Sequence, residues 1–303
     1  MTDKKYGRQD AFAGCHPLVN FLFFALVLVF SMFLMHPLCL IISFSCAAVY
    51  ALRLGKGKSF GFVLPVMILT ALLNPLLTHA GMTILAWLPD GNPLTLESIF
   101  YGLAAAVMLG TVVLWFSCAN CVMTTDKFVY LFGRMIPALS LVLSMALRFV
   151  PRFQTQMRIV RESQQAIGRN ASGKNPAAKI RSGVRIFSIM MTWSFENAIE
   201  TSDSMRSRGY GLPGRTAFSI YRFDRRDRAA LCCLVFCGTV LTAGWAGGSV
   251  SSRYYPSADF KSLTPSSAGF LAVYLFLCLL PVLMDLGAMV SWRILQEGGK
   301  NDG

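Results

Sequence analysis

The sequence predicts an all-α integral membrane protein with about six transmembrane helices and two long amphipathic helices on the cytoplasmic side. Three observations carry this. Of 303 residues, 54% are hydrophobic and only 14% charged, against about 25% charged in ordinary soluble domains. Six apolar runs stand out, each of about 17–25 residues and so able to cross a hydrocarbon core roughly 30 Å thick. The charge is also gathered in one place: 18 of the 28 Lys and Arg, against 7 acids, lie between Asp126 and Arg228. A net charge of +13 spread over a soluble surface would suggest nucleic acid. Concentrated beside apolar spans it marks the cytoplasmic side of a membrane instead, so the expected surroundings are a lipid bilayer and no nucleic acid.

The spans follow in order. The first, 18–35, comes after a tail with Lys4, Lys5 and Arg8 and no convincing small-residue cleavage site, so it is expected to remain. His36-Pro37 separates it from the second, 37–54, as a tight hairpin, because proline lacks a donor and restrains the residue before it. The third is Phe60–Leu77 and the fourth 98–122; the last two are 229–246 and 268–292. Lys and Arg orient them. The amino-terminal tail, the loop with Arg53, Lys56 and Lys58, and the large basic segment fall on one side; the 78–97 connection, without Lys or Arg, falls on the other. Six spans with both termini cytoplasmic satisfy every loop. The expected organisation is therefore a membrane part over 1–125, a cytoplasmic segment with two helical arms over 126–228, and a second membrane part over 229–303.

The first arm opens at Ile136-Pro137, proline being suited to a first helical turn, and Pro151 is expected to kink or restart it. Beyond it Phe153, Met157, Val160, Gln164 and Ile167 share one face, and Gly168 supplies a stop, since glycine accepts the left-handed conformation. The second arm opens at Asn175-Pro176, an N-cap followed by proline. Ile180, Val184, Phe187, Met191, Phe195, Ala198 and Met205 mark its apolar face. Glu196, Glu200 and Asp203 form an acidic stripe expected to orient the arm's end. Each arm thus ends in a small-Arg-small triplet, Gly168-Arg169-Asn170 and Ser207-Arg208-Gly209. A guanidinium at a helix C-terminus gains from the macrodipole and offers a planar fork to a carboxylate, while small neighbours let another backbone approach. These six residues are the candidate docking tips.

At these residues the chain resembles the transmembrane (T) component of energy-coupling factor (ECF) transporters, the family that includes the cobalt-transport Q-type proteins. The matching elements are Ala146-Leu147-Arg148-Phe149-Val150-Pro151, the acidic stripe running into Ser204-Met205-Arg206-Ser207-Arg208-Gly209-Tyr210-Gly211, and the spans around them. The family usually shows Ala-Arg-Gly or similar where this chain has Gly168-Arg169-Asn170. The resemblance implies that the arms are coupling helices, docked through Arg169 and Arg208 onto two cytoplasmic ATP-binding-cassette ATPases. It implies a small membrane S component that binds a vitamin or metal ion, a location in the bacterial cell membrane, and no cofactor on this chain, ATP and Mg being held by the ATPases. The faces through Met157 and Met191 would pack the arms together or meet the S component.

Other signals carry less. Gly57-Lys58-Ser59 resembles the tail of a phosphate-binding loop, but Leu52 stands where that motif needs glycine. Cys118-Ala119-Asn120-Cys121 is a single pair without nearby histidines; His16, His36 and His79 read as turn or interface residues. Asp285, an acid within the last span, is expected near the cytoplasmic end, reaching polar groups or Arg293. Arg222–Arg228 reads as a juxtamembrane anchor with internal ion pairs. A stand-alone secondary transporter would want paired polar residues inside the spans and an inverted repeat; an intramembrane enzyme would want a convergent catalytic set. Neither pattern is evident in the sequence. The purified chain alone is accordingly expected to turn over no ATP, and ATP hydrolysis by it would contradict this reading.

Overall fold

The computed structural model describes residues 11–78, 81–87, 93–133, 137–168, 176–210, 212, 221, 223–248, 250, 252–255, 259–260 and 264–301. Nine helices are described: α1 (Pro17–Phe33), α2 (Pro37–Arg53), α3 (Phe60–Leu77), α4 (Leu96–Val122), α5 (Thr125–Gly133), α6 (Pro137–Ala166), α7 (Pro176–Ser207), α8 (Arg225–Ala246) and α9 (Pro265–Asn301). Two small antiparallel pairs accompany them, β1 (Ile84–Trp87) with β2 (Pro93–Thr95), and β3 (Ser252–Arg253) with β4 (Asp259–Phe260). The chain divides into two compact units, one of residues 1–128 with 221–303 and one of residues 129–220.

Four helices of the first unit are long and apolar enough to cross a membrane: Gly57–Leu77, which includes a short 3-10 turn, Leu96–Val122, Arg225–Ala246 and Pro265–Val290. The apolar helices α1 and α2 have 17 residues each, about 26 Å at 1.5 Å per residue, a little under a full hydrocarbon core. Both are set by the same local sequence. His16 and His36 are N-caps, each accepting from the N–H two residues on through Nδ1 (3.3 Å), and each is followed by proline at the first helical position. Burial holds His36 below the ordinary imidazole range, which keeps that nitrogen an acceptor.

Helix α4 is the hub, packing on α1, α2 and α3, while α9 packs on α2 and α8. Trp115 of α4 is fully buried against Phe23 (5.8 Å), Phe24 (6.4 Å) and Tyr50 (6.2 Å). Its Nε1 donates to Ser43 Oγ (3.2 Å), Ser43 bonds Ser31 (2.8 Å), and Ser31 bonds the Tyr274 hydroxyl (3.2 Å). One polar chain therefore joins α1, α2, α4 and α9 where no water can serve. Helices α3 and α4 approach closely through glycine. A Cβ on Gly102 would lie 3.1–3.2 Å from Pro75 Cδ, Ala71 O and Asn74 Cβ, and one on Gly110 would meet the flexible Met67 side chain at 2.5 Å. The outer face of α3 is open, with Phe62, Leu72 and Leu77 all more than 60% exposed.

Helix ends gather at two poles of this unit. At one, Glu97 is buried and accepts from Thr83 Oγ1 (2.8 Å) and Thr83 N (3.3 Å), Ser98 Oγ donates to Thr78 O (2.6 Å), and the Tyr254 hydroxyl donates to Met35 O. At the other, the turn of residues 11–16, with Phe12, Cys15 and His16 buried and Gly14 exposed, lies beside the starts of α1 and α8 and the end of α4. Asp285 Oδ1 accepts from Phe12 N (3.2 Å), and Asp227 Oδ1 accepts from His16 N (3.2 Å). Lys127 Nζ donates to Ala13 O (2.6 Å) and Val122 O (3.0 Å). With its amide nitrogen turned toward Phe12 O (3.0 Å), Asn20 offers its oxygen to the same ammonium at 2.9 Å.

Two expectations are corrected here, and a third is met. Helix α6 runs through Pro151 without a restart, and Thr155 Oγ1 donates to the Pro151 carbonyl (3.1 Å). Asp227, read as part of an ion-paired anchor, is 3% exposed and accepts backbone N–H groups, including that of Asp224 (3.3 Å), which caps α8. Asp285 reaches polar groups as expected, accepting the Phe12 N–H; the side chain of Arg293 lies outside the described residues, and His79 lies outside them altogether. Overfilling the α3–α4 contact tests the packing: Gly102→Leu is expected to lower stability by about 1–3 kcal/mol, read as a lower thermal midpoint in detergent. Gly110→Ala should lower it less, since Met67 can swing aside.

Candidate functional site

The second unit carries the candidate docking residues on α6 and α7. Both helices open with proline at the first position and are amphipathic over 30 and 32 residues. They meet through Phe153 and Trp193, whose rings are 5.3 Å apart at 83°, and Arg152 stacks over Trp193 at 5.7 Å. Val160, Met190 and Asn197 are buried. Ile186, Met190, Trp193 and Asn197 therefore form the inward stripe of α7, at offsets 0, 4, 7 and 11.

That stripe is not the one the sequence singled out. Ile180, Val184, Phe187 and Phe195 are 62–68% exposed and Met191 is 40% exposed. On α6, Phe153 and Val160 face inward, while Met157 and Ile167 are 48% and 64% exposed. The α7 face through Met191 is thus open among the described residues, and the α6 face is split, Phe153 and Val160 turning inward while Met157 and Ile167 stay exposed. Helix α7 carries two apolar faces, and periodicity alone cannot tell which one finds a neighbour within the chain.

The helix ends are built by glycine. Gly209 has φ +75°, its N–H donates to Arg206 O (3.0 Å), and Tyr210 N–H donates to Met205 O (3.1 Å). This pair of bonds is a Schellman stop, in which a left-handed residue lets the chain turn back on its last carbonyls. It leaves Arg208 as the exposed C-cap residue, its N–H donating to Ser204 O (3.3 Å), with Ser207 Oγ bonded to Ser204 O (2.9 Å). The first arm also ends at a left-handed glycine, Gly168, φ +73°, with its N–H on Gln165 O (3.0 Å). Arg169 and Asn170 lie outside the described residues. The two tips differ in register: Arg208 precedes its left-handed glycine, whereas Arg169 follows Gly168.

Glu196, Glu200 and Asp203 are exposed along α7 and make no ion pair within 4 Å among the described residues; the arms' described pair is Arg158 with Glu162 at 3.8 Å, itself exposed. An exposed pair of this kind contributes at most a few tenths of a kcal/mol. Sequence reasoning passed over Lys127, Asn20 and the Phe153–Trp193 contact. The signal for Lys127 was present, as a lone cation in the first turn of the short apolar helix α5, where the macrodipole disfavours it. Burial pushes its ammonium below the ordinary lysine range. Nearby, burial pushes the Cys15 thiol up to about 11, so it remains a protonated thiol. Trp193→Ala is expected to weaken the arm contact by about 1–3 kcal/mol, seen as faster protease cleavage within 137–207. Phe187→Ala, on the open stripe, should change it by under about 0.5 kcal/mol.

No family model matches the chain. Among curated proteins it is similar to the energy-coupling factor transporter transmembrane protein EcfT 1 of Listeria monocytogenes, 34% identical over 107 residues, covering 35% of this chain and 39% of that protein. It is similar to EcfT of Bacillus selenitireducens, 31% identical over 112 residues, covering 36% and 42%. With EcfT of Staphylococcus aureus the match is 24% identical but longer, 180 residues, covering 56% and 66%. The chain thus matches about two fifths of the length of the first two relatives. With its apolar spanning helices, these matches identify the chain as a membrane protein related to the transmembrane (T) components of energy-coupling factor transporters.

Proposed function

We propose that this chain is the non-catalytic energy-coupling subunit of an ECF-type importer in a bacterial cell membrane. In this reading six helices, α1–α4, α8 and α9, cross the bilayer with both termini in the cytoplasm. The charge distribution supports the orientation. Arg53, Lys127, Asp227 and the arginine-rich start of α8 share the pole with the buried turn of residues 11–16, whereas the described part of the 78–97 connection carries no Lys or Arg.

The observation that carries the coupling role is the pair of long amphipathic helices in contact at Phe153 and Trp193, each stopped by a left-handed glycine beside an arginine. A rigid helix ending in an exposed guanidinium delivers a charge-assisted, bidentate contact at a defined point. Arg169 and Arg208, flanked by Gly168, Asn170, Ser207 and Gly209, are assigned to two cytoplasmic cassette ATPases, which hold ATP and Mg. Glu196, Glu200 and Asp203 set the charge of the α7 surface leading to the second tip. The open apolar stripe from Ile180 to Phe195 is assigned to a small membrane S component that binds a vitamin or metal ion. ATP-driven closure of the ATPases would move the arms, and the arms would reorient the S component.

The test is co-purification of the two ATPases with the chain from membranes. Arg208→Glu and Arg169→Glu should each weaken the complex by about 2–5 kcal/mol, as charge reversal at a desolvated bidentate contact does. Together they should abolish recovery of the ATPases. Undiminished recovery with the double variant would rule out docking through these arginines.

A further inference from the structure

The turn of residues 11–16 is held by three ionisable side chains from three distant parts of the sequence. Lys127 holds Ala13 O, Asp227 holds His16 N, and Asp285 holds Phe12 N. None of these is spent on a charged partner within 4 Å among the described residues; each carries its charge to backbone groups or a neutral amide. Lys127 is 6% exposed, Asp227 3% and Asp285 5%. The ammonium has a full set of three acceptors, at 2.6, 3.0 and 2.9 Å, from the turn, the end of α4 and Asn20 of α1.

Their places along the chain are what make the arrangement informative. Lys127 stands just before the chain passes into the unit of residues 129–220, and Asp227 stands shortly after it returns. Both covalent connections to the arms are therefore fastened to one short, partly buried turn. Asp285 adds the last span, and Phe12 drives its ring, 0% exposed, into the core at 5.0 Å from Phe23 and 6.2 Å from Phe24. Buried, fully satisfied, directional bonds of this kind have discrete arrangements rather than a continuous range.

We propose that the clamp of Lys127, Asp227 and Asp285 on residues 11–16 is the mechanical junction of this protein: it passes displacement of the two connections into α1 and α9 rather than merely stabilising the fold. The proposal rests on the coupling function proposed above. The three side chains are positioning residues, acting through the turn they hold.

The test uses the full chain in complex with its two ATPases in lipid nanodiscs, with Mg-ATP plus vanadate as the probe. Backbone hydrogen exchange is compared with and without nucleotide over 11–33, 137–207 and 265–290. In the native complex, nucleotide should alter exchange in all three segments. Lys127→Gln and Asp227→Asn should leave ATPase recovery and the response in 137–207 intact, while the response in 11–33 and 265–290 falls by about fivefold or more; Lys127→Arg should restore part of it. An undiminished response in the spans of both variants overturns the proposal. So does failure of both variants to assemble, which would make the clamp a folding staple alone. A native complex whose arms respond while its spans do not overturns this inference and leaves the coupling reading standing; one that responds nowhere overturns both.

Discussion

Non-helical backbone buried in an apolar bundle must find its hydrogen-bond partners within the protein, because hydrocarbon offers none. Residues 11–16 meet that constraint at its sharpest. Phe12, Cys15 and His16 are buried at 0, 1 and 7% exposure, and the turn reaches the first helix without regular structure. Its groups are met by a lysine, two aspartates and an asparagine drawn from α1, α5, α8 and α9. An unmet buried backbone group costs about 1–3 kcal/mol, so these side chains fix where the starts of α1, α5 and α8 can sit against the middle of α9. The arrangement of the first unit follows from them.

The opposite pole solves the same problem with different chemistry. Glu97 takes the N–H and hydroxyl of Thr83, Ser98 takes the Thr78 carbonyl, and Tyr254 takes Met35 O. Between the poles, helix association relies on small residues and on a thread of hydroxyl bonds from Ser31 to Trp115. Apolar side chains alone would not distinguish one helix from another or from lipid. Polar groups supply the specificity at both ends and at one level in the middle, and apolar packing fills the space between.

The arms obey a different rule, since water can satisfy their exposed groups. Their length and boundaries come from local chemistry: proline at each start, a left-handed glycine at each described end. Their mutual contact is narrow, centred on Phe153, Trp193 and Arg152, and it leaves an apolar stripe of α7 uncovered. In the proposed function it is this second apolar face that meets a partner.

By itself the sequence determined the helices, the arm boundaries and the family, because each depends on local signals: apolar length, capping residues, glycine stops and a short charged motif. The first five apolar runs match the helices to within a few residues, while the last helix runs on to Asn301; the 37–54 run is Pro37–Arg53 in the structure, and the stop at Gly209 falls where the Arg-Gly pair placed it. Only the tertiary structure decided which of two apolar faces on α7 turns inward, that Pro151 leaves α6 unbroken, and that Asp227 and Asp285 serve a buried turn. The roles of Asp227 and Asp285 depend on contacts across more than two hundred positions, as between Phe12 and Asp285. No local pattern encodes which distant group will complete the hydrogen bonds of a backbone removed from water.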